Sequence, residues 1–293
     1  MLRLSIVQAL EAAGLDVGVV ENIVWTALAE DLGPDKIDVT SVATLPEEQR
    51  GTAELVARAP GVIAGLPVAA AVFELADSRT RVEAKVSDGA RVARGDVLAV
   101  VTGPTRALLT AERTALNLLC RMSGVATHTR AWADALAGSK AQVLDTRKTT
   151  PGLRMLEKYA VRAGGGTNKR MGLYDVAMIK DNHKLAAGGV AAAYRRVRAA
   201  FPDVPVQVEV TTVAEAVEAV EAGATFLLCD NMSPALLRAV VAAVGGRAEL
   251  EATGGLTLDV AAEYAATGVD YLSVGALTHS SPIVDIAMDL KAG

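Results

Sequence analysis

The second half of the chain alternates between short β-branched apolar runs and longer amphipathic ones. VPVQVEV (204–210) predicts a strand. TTVAEAVEAVEAG (211–223) carries its apolar residues at helical spacing and stops at Gly223. ATFLLCD (224–230) predicts the next strand. The following helix opens at Ser233-Pro234, a capping residue followed by proline at the first helical position. AELEATGG (248–255), TLDVAAEYAATG (257–268) and VDYLSVGA (269–276) continue as strand, helix, strand, and AQVLDT (141–146) and VAMIKD (176–181) fit the same pattern upstream. Repeated strand–helix units predict a parallel sheet, closed or open.

Polar residues fall where these strands stop. Glu209, Asp230 and Glu251 are spaced 21 apart, Gly275 ends the last strand, and Asp145, Arg147, Lys148, Lys180 and Asp181 follow the upstream two. Charged groups at the C-terminal ends of successive parallel strands mark the active face of a (β/α) barrel. The first ~115 residues have another texture. Helices are predicted over 3–30, and short strands with turns at Asp88-Gly89 and Arg94-Gly95-Asp96 over 50–101. VSDGARVARGDVLAVV (86–101) has the look of a biotin- or lipoate-carrying half-barrel but lacks the modified lysine hairpin, so a small α+β domain is expected. TAERTALNLL (110–119) starts a strongly helical run. The expected architecture is an N-terminal α+β sandwich domain (1–115, with the tail 282–293 packing back on it) and a C-terminal open or incomplete (β/α) barrel (116–281).

Composition narrows the chemistry. Hydrophobic residues make up 51% of the 293 and aromatics only 3%, so the core is built from small branched side chains. Net charge is -5. Acidity and scarce aromatics argue against a nucleic-acid surface. No apolar run reaches the ~20 residues a bilayer span needs, and Glu11 interrupts the N-terminal apolar stretch early, so no membrane association and a cytoplasmic location are expected. Cys120 and Cys229 have no Cys or His partners at metal-ligand spacing and read as buried free thiols.

Against this acidic background, residues 145–184 hold nine Lys/Arg and four Asp/Glu, a local net charge of +5. Such an island suits a small, strongly anionic ligand. Gly164–Gly166 sit inside it, where they allow either close backbone approach to a ligand or a bend. Arg147-Lys148, Lys169-Arg170 and Lys180 form the cationic wall, since arginine forks match carboxylates and lysine serves as a point charge. Arg154, Lys158 and Arg162 recur at helical spacing and read as an exposed face. Glu209 and Asp230 offer two hard oxygen ligands, which suits Mg²⁺ shared with substrate phosphates. ATGGL (252–256) and SVGAL (273–277) end the last two strands with backbone N–H groups placed for a phosphate, and His279, Ser280 and Ser281 could add donors. No nucleophile stands in a G-x-S-x-G elbow, and His128 and His183 are isolated, so electrostatics and positioning are expected to carry catalysis. A phosphate-binding barrel aldolase or lyase using Lys180 as a Schiff-base amine is a second enzyme reading. A phosphometabolite sensor without turnover is a third.

TAERTALNLLCRMSGVAT, DTRKTTPGLRMLEKYAVRAGGG, MIKDNH, VEV, CDNM, EATGGL and SVGALTHS, with EDLG (30–33) and GVIAGL (61–66), resemble the quinolinate phosphoribosyltransferase family in order along most of the chain. The resemblance implies transfer of a phosphoribosyl group from 5-phosphoribosyl 1-diphosphate to quinolinate with decarboxylation. The products would be nicotinate mononucleotide, pyrophosphate and CO₂, and the cofactor Mg²⁺. It implies a homodimer or larger homo-oligomer with shared sites, to which Arg113 contributes across the interface. By the same resemblance Arg147, Arg170 and Lys180 line the quinolinate pocket and Lys148 contacts the ribosyl diphosphate, and Lys169, in the place of a family histidine, is expected to bind substrate with them. Glu209 and Asp230 hold the ribose hydroxyls and the metal, and Gly254, Gly255, Gly275 and His279 lie near the 5-phosphate. Lys148, Glu209 and Asp230 are the expected catalytic residues. Lys169-Arg170 departs from the family's usual His-Arg, which leaves a paralogue acting on another aromatic carboxylate as an alternative. For a quinolinate enzyme, Lys169→His is expected to retain or improve turnover.

Overall fold

The computed structural model of the chain describes residues 2–291. In chain order the elements are α1 (Leu4–Ala12), α2 (Val17–Leu32), α3 (Val39–Thr44), β1 (Arg50–Ala57), β2 (Gly61–Val62), α4 (Leu66–Ala76), β3 (Arg81–Ala84), β4 (Arg91–Val92) and β5 (Val97–Pro104). The long α5 (Thr105–Ala135) follows, then β6 (Gln142–Leu144), α6 (Arg154–Ala163), β7 (Ala177–Ile179), α7 (Asp181–Ala187), α8 (Val190–Ala200) and β8 (Val206–Val210). The chain continues with α9 (Val213–Glu221), β9 (Phe226–Asp230), α10 (Pro234–Val244), β10 (Glu249–Thr253), α11 (Ala261–Ala265), β11 (Tyr271–Ser273), α12 (Ala276–His279) and β12 (Ile286–Leu290). Two compact units result. One takes Ala131–Thr149 and Gly166–His279, and the other takes the remaining described residues.

The first unit is an antiparallel sheet, in the order β12-β1-β5-β3, with helices packed on it. Of the segment 282–293, Ile286–Leu290 pairs antiparallel with β1, and residues 292 and 293 lie outside the described residues. Asp88, read from sequence as part of a turn, has a structural task here. Its carboxylate accepts the backbone N–H groups of Gly65 (2.7 Å) and Leu66 (3.2 Å) at the start of α4, and the Tyr159 hydroxyl at 2.6 Å. Burial pushes Asp88 upward, and burial beside Asp88 pushes the Tyr159 phenol above its ordinary range.

Two glycines fix how α5 packs within this unit. A Cβ on Gly164 would lie 2.5 Å from the Ala126 carbonyl oxygen. The glycine triplet therefore serves the second of its two readings, a bend at the end of α6 under α5. A Cβ on Gly124 would lie 2.1 Å from the Pro282 carbonyl oxygen. Alanine is favoured over glycine inside a helix by about 1 kcal/mol, but forcing a methyl into packed backbone costs about 1–3 kcal/mol or more. We therefore expect Gly124→Ala to be net destabilising and to lower the midpoint of thermal unfolding. A raised midpoint would contradict this.

The second unit is a six-stranded parallel sheet in the order β6-β11-β10-β9-β8-β7. Among the described residues β6 and β7 do not pair, so the sheet stays open. β8 is buried at every position, as a strand covered on both faces must be. Two of its helices, α9 and α10, begin on side-chain caps legible in the sequence. Thr212 accepts the Glu215 N–H at α9, and Ser233 accepts the Leu236 N–H at α10.

Candidate active site

In a parallel sheet, residues in register share a face, and alternate residues along a strand return to it. Glu209 is in register with Leu228, Leu228 with Glu251, and Asp230 with Thr253. Gly275 lies two residues beyond Ser273, and Lys180 directly follows β7. The strand ends thus deliver acidic, basic and glycine positions to one rim, around a cavity of about 730 Å³. Arg147, Lys148, Lys169, Arg170, Lys180, Glu209, Asp230, Gly254, Gly255, Gly275 and His279 all line it. Of the candidate site residues, Arg113 alone does not. It is exposed on α5 in the first unit.

The cations are held rather than loose. Lys180 Nζ sits 3.0 Å from Glu209 Oε2, so the amine considered for Schiff-base chemistry is tied to a carboxylate. Lys169 Nζ sits 2.5 Å from Glu251 Oε1, with both side chains almost fully buried. The Lys169 backbone N–H donates to Asp145 Oδ1 (2.8 Å), and Asn168 Nδ2 donates to Asp145 Oδ2 (2.6 Å). Asp145 is fully buried at the end of β6 and anchors this loop. Burial, then the neighbouring Arg147, lowers Arg170. The Lys148 carbonyl accepts the Thr278 hydroxyl at 2.8 Å, which ties the loop after β6 to α12.

The glycine positions have conformational reasons. Gly254 (φ +105°) and Gly255 (φ +60°) are left-handed, and a Cβ on Gly254 would lie 2.2 Å from Asn231 Oδ1. Asn231 N–H donates to the Thr253 carbonyl at 2.9 Å, so the loops after β9 and β10 brace each other.

Behind Glu209 lies a residue that sequence reading did not single out. Lys184 on α7 is buried. Its ammonium donates to the Glu209 carbonyl oxygen (3.1 Å) and Glu215 Oε1 (3.0 Å), and pairs with Asp181 Oδ1 (2.8 Å). Burial pulls Lys184 downward, but Asp181 and Glu215 outweigh it and the group is raised. Glu215 also accepts the Thr211 N–H and hydroxyl. The end of β8 that carries Glu209, and the connection to α9 that follows it, are therefore braced from two sides. Only an unusually buried lysine in the cationic segment would have signalled this, and burial is not visible in sequence. Lys158 reverses the exposed-face expectation in the same way: it is fully buried.

Among the described residues no group of three or more His, Cys, Asp or Glu side chains gathers at metal-binding geometry. Two lining carboxylates, Glu209 and Asp230, nevertheless match what Mg²⁺ takes from protein when substrate phosphates supply its other oxygens. Cys120 and Cys229 are free and buried. Burial, followed by the Glu251 charge, pushes the Cys229 thiol up to about 12, which removes it as a nucleophile.

Comparison with known proteins gives concordant results. The family model "Quinolinate phosphoribosyl transferase, C-terminal domain" matches residues 125–289, and its N-terminal counterpart matches 38–123. Carboxylating nicotinate-nucleotide pyrophosphorylase of Mycobacterium leprae (strain TN) is 50% identical over 269 residues, covering 90% of this chain and 94% of that protein. The decarboxylating quinolinate phosphoribosyltransferase 1 of Nicotiana glauca is 39% identical over 289 residues, covering 92% and 82%. The crystal structure of NadC from Streptococcus pyogenes superposes with a TM-score of 0.91 at 38% identity, over 94% of this chain and 98% of that one.

Proposed function

The chain belongs to the quinolinate phosphoribosyl transferase family, and from that premise we propose that it joins quinolinate to 5-phosphoribosyl 1-diphosphate with loss of pyrophosphate and CO₂, forming nicotinate mononucleotide. The observation that carries this reading is the rim itself, where five cations and two carboxylates converge on one cavity at the ends of parallel strands. Quinolinate carries two carboxylates and its co-substrate more charge still. Arg147 and Arg170 offer forks for the acceptor carboxylates, while Lys148 faces the diphosphate. The glycine loops after β10 and β11 supply backbone N–H groups for the 5-phosphate.

Phosphoribosyl transfer develops positive charge on the sugar, and Glu209 and Asp230 are the anions available to stabilise it. Mg²⁺ held by the same two carboxylates would neutralise the departing diphosphate. Ribosylation makes the ring nitrogen cationic, and that charge stabilises the electron pair left on the adjacent ring carbon when CO₂ departs, until a proton from solvent completes the C–H bond. The protein's part is to orient, neutralise and exclude water. Exposed Arg113 is the residue we assign to a neighbouring subunit's site, which makes the working form a homodimer or larger. Activity that persists in a dilute monomer would sink that assignment.

The test is pyrophosphate release by the purified protein with Mg²⁺ and phosphoribosyl diphosphate, run in parallel with quinolinate, nicotinate and other aromatic carboxylates. Release with quinolinate, coupled to CO₂ and nicotinate mononucleotide, is expected. Release only with another acid would redirect the substrate assignment. Lys184→Met should lower kcat/KM by about tenfold, chiefly through kcat, because a charge-assisted hydrogen bond of about 1.5–3 kcal/mol braces Glu209. An unchanged kcat would show that the brace is dispensable.

A further inference from the structure

We infer that Glu251, which does not itself line the cavity, is a positioning residue that holds the Lys169 ammonium at the cavity wall and keeps it available to an acceptor carboxylate. The inference rests on the acceptor reading above. Glu251 lies mid-sheet on β10, in register with Leu228 on β9 and Tyr271 on β11, and is fully buried. A carboxylate in such a place is retained only with a partner, and Lys169 Nζ is that partner at 2.5 Å. The lysine's backbone is pinned separately, by Asp145. Its ammonium is therefore held in one direction, onto Glu251, on a residue that lines the cavity.

Charge makes the pairing necessary from the lysine's side as well. Lys169 is buried beside Arg170 and Lys180, both of which disfavour a further positive charge. Around the pair stand Asp145 after β6, Lys180 after β7, Cys229 on β9 and Arg170 on the lysine's own loop. The Cys229 thiol stays neutral, Asp145 is engaged with backbone and Asn168, and Lys180 is on Glu209. Glu251 is thus the carboxylate whose contact opposes deprotonation of Lys169. Burial drives the lysine downward and the glutamate upward, and each charge counters the shift of the other.

The sign follows directly. A lysine that must be an ammonium to meet a carboxylate loses function as pH rises, and removing its counter-charge brings that loss to lower pH. Glu251→Gln keeps the shape and an acceptor oxygen but not the charge. We expect its KM for quinolinate to rise at least about tenfold, with KM for phosphoribosyl diphosphate within about twofold. Its alkaline limb of kcat/KM should move down by about one pH unit or more. Lys169→Met should lose the acceptor affinity at all pH values, and adding Glu251→Gln to it should change little further.

An independent readout needs no turnover. With lysines labelled at Nζ, and Lys169→Met used for assignment, NMR titration of the full chain should find Lys169 an ammonium at neutral pH. In Glu251→Gln its transition should lie at lower pH. Unchanged KM and pH limb in Glu251→Gln, or additive effects in the double variant, would overturn the inference. If Glu251→Gln does not fold, the wild-type titration decides alone, and a neutral Lys169 amine at pH 7 overturns it. If no variant or wild type uses quinolinate, the acceptor reading fails while the titration still judges the pair.

Discussion

Glu209→Gln is expected to lower kcat/KM by about 10²–10³-fold, with kcat carrying most of the loss. Removing one preorganised charge from a transition state has effects of about that size. Two opposing consequences have to be weighed. The substitution frees Lys180, which pairs with Glu209 at 3.0 Å, and so makes the cavity more attractive to anions. The same change takes a negative charge away from the sugar as it turns cationic. At about 4 Å with an effective dielectric of about 20, one charge pair corresponds to about 4 kcal/mol. The anion gain is spread over binding of both substrates in ground and transition states alike, and binding both states equally does not raise kcat. The loss should therefore dominate kcat while KM moves little. Asp230→Asn should act in the same direction, and the double variant should fall short of the product of the two. Steady-state kinetics at saturating Mg²⁺ would show it. A Glu209→Gln kcat within threefold of wild type would remove Glu209 from the catalytic assignment.

Glu157→Gln should destabilise the fold by about 3–5 kcal/mol without touching the cavity. Glu157 on α6 is fully buried, and its carboxylate accepts four hydrogen bonds. Two come from Arg121, Nε at 3.0 Å and Nη2 at 2.8 Å, and two from Thr150, the backbone N–H at 2.9 Å and the hydroxyl at 2.7 Å. Glutamine keeps one acceptor oxygen and points an amide donor at groups that are themselves donors, so the buried site loses its negative charge and part of its hydrogen bonding. Breaking a buried pair from one side costs about 3–5 kcal/mol, a large share of the roughly 5–15 kcal/mol that holds a domain together. Denaturant unfolding measures it directly. Replacing both partners, as Arg121→Met with Glu157→Leu, should cost less than Glu157→Gln alone. The opposite order would mean that the ion pair itself, and not the cost of a one-sided loss, is the stabilising element.

How legible these features were depends on what a residue type reveals by itself. The strand–helix rhythm from 204 to 276 was readable because a covered parallel strand needs a short apolar run, and its caps and glycine stops leave signatures at fixed offsets. The structure bears out the alternation from β8 to β11. Most cavity residues were readable for a related reason, since charge at the end of an apolar run has few places to go except the rim. Pairings across the sheet were not readable. Glu251 stood out by its spacing after Asp230, yet nothing in the chain says that its partner is Lys169, 82 residues upstream. Burial of charge was equally hidden: Lys158 and Lys184 look like surface lysines in sequence and are buried in the fold. The Gly164–Gly166 run admitted two readings, and only the 2.5 Å approach to Ala126 separates them.

β12 completes the first unit's sheet by pairing with β1, which begins at Arg50. Its residues are synthesised after all six strands of the parallel sheet. During translation, the parallel-sheet unit therefore has every strand it needs while the earlier-made sheet still has an open edge at β1. Order of synthesis and order of completion are reversed. A nascent chain stalled before residue 286 should display β1 as an unpaired edge, the kind of surface that chaperones shield and that seeds aggregation.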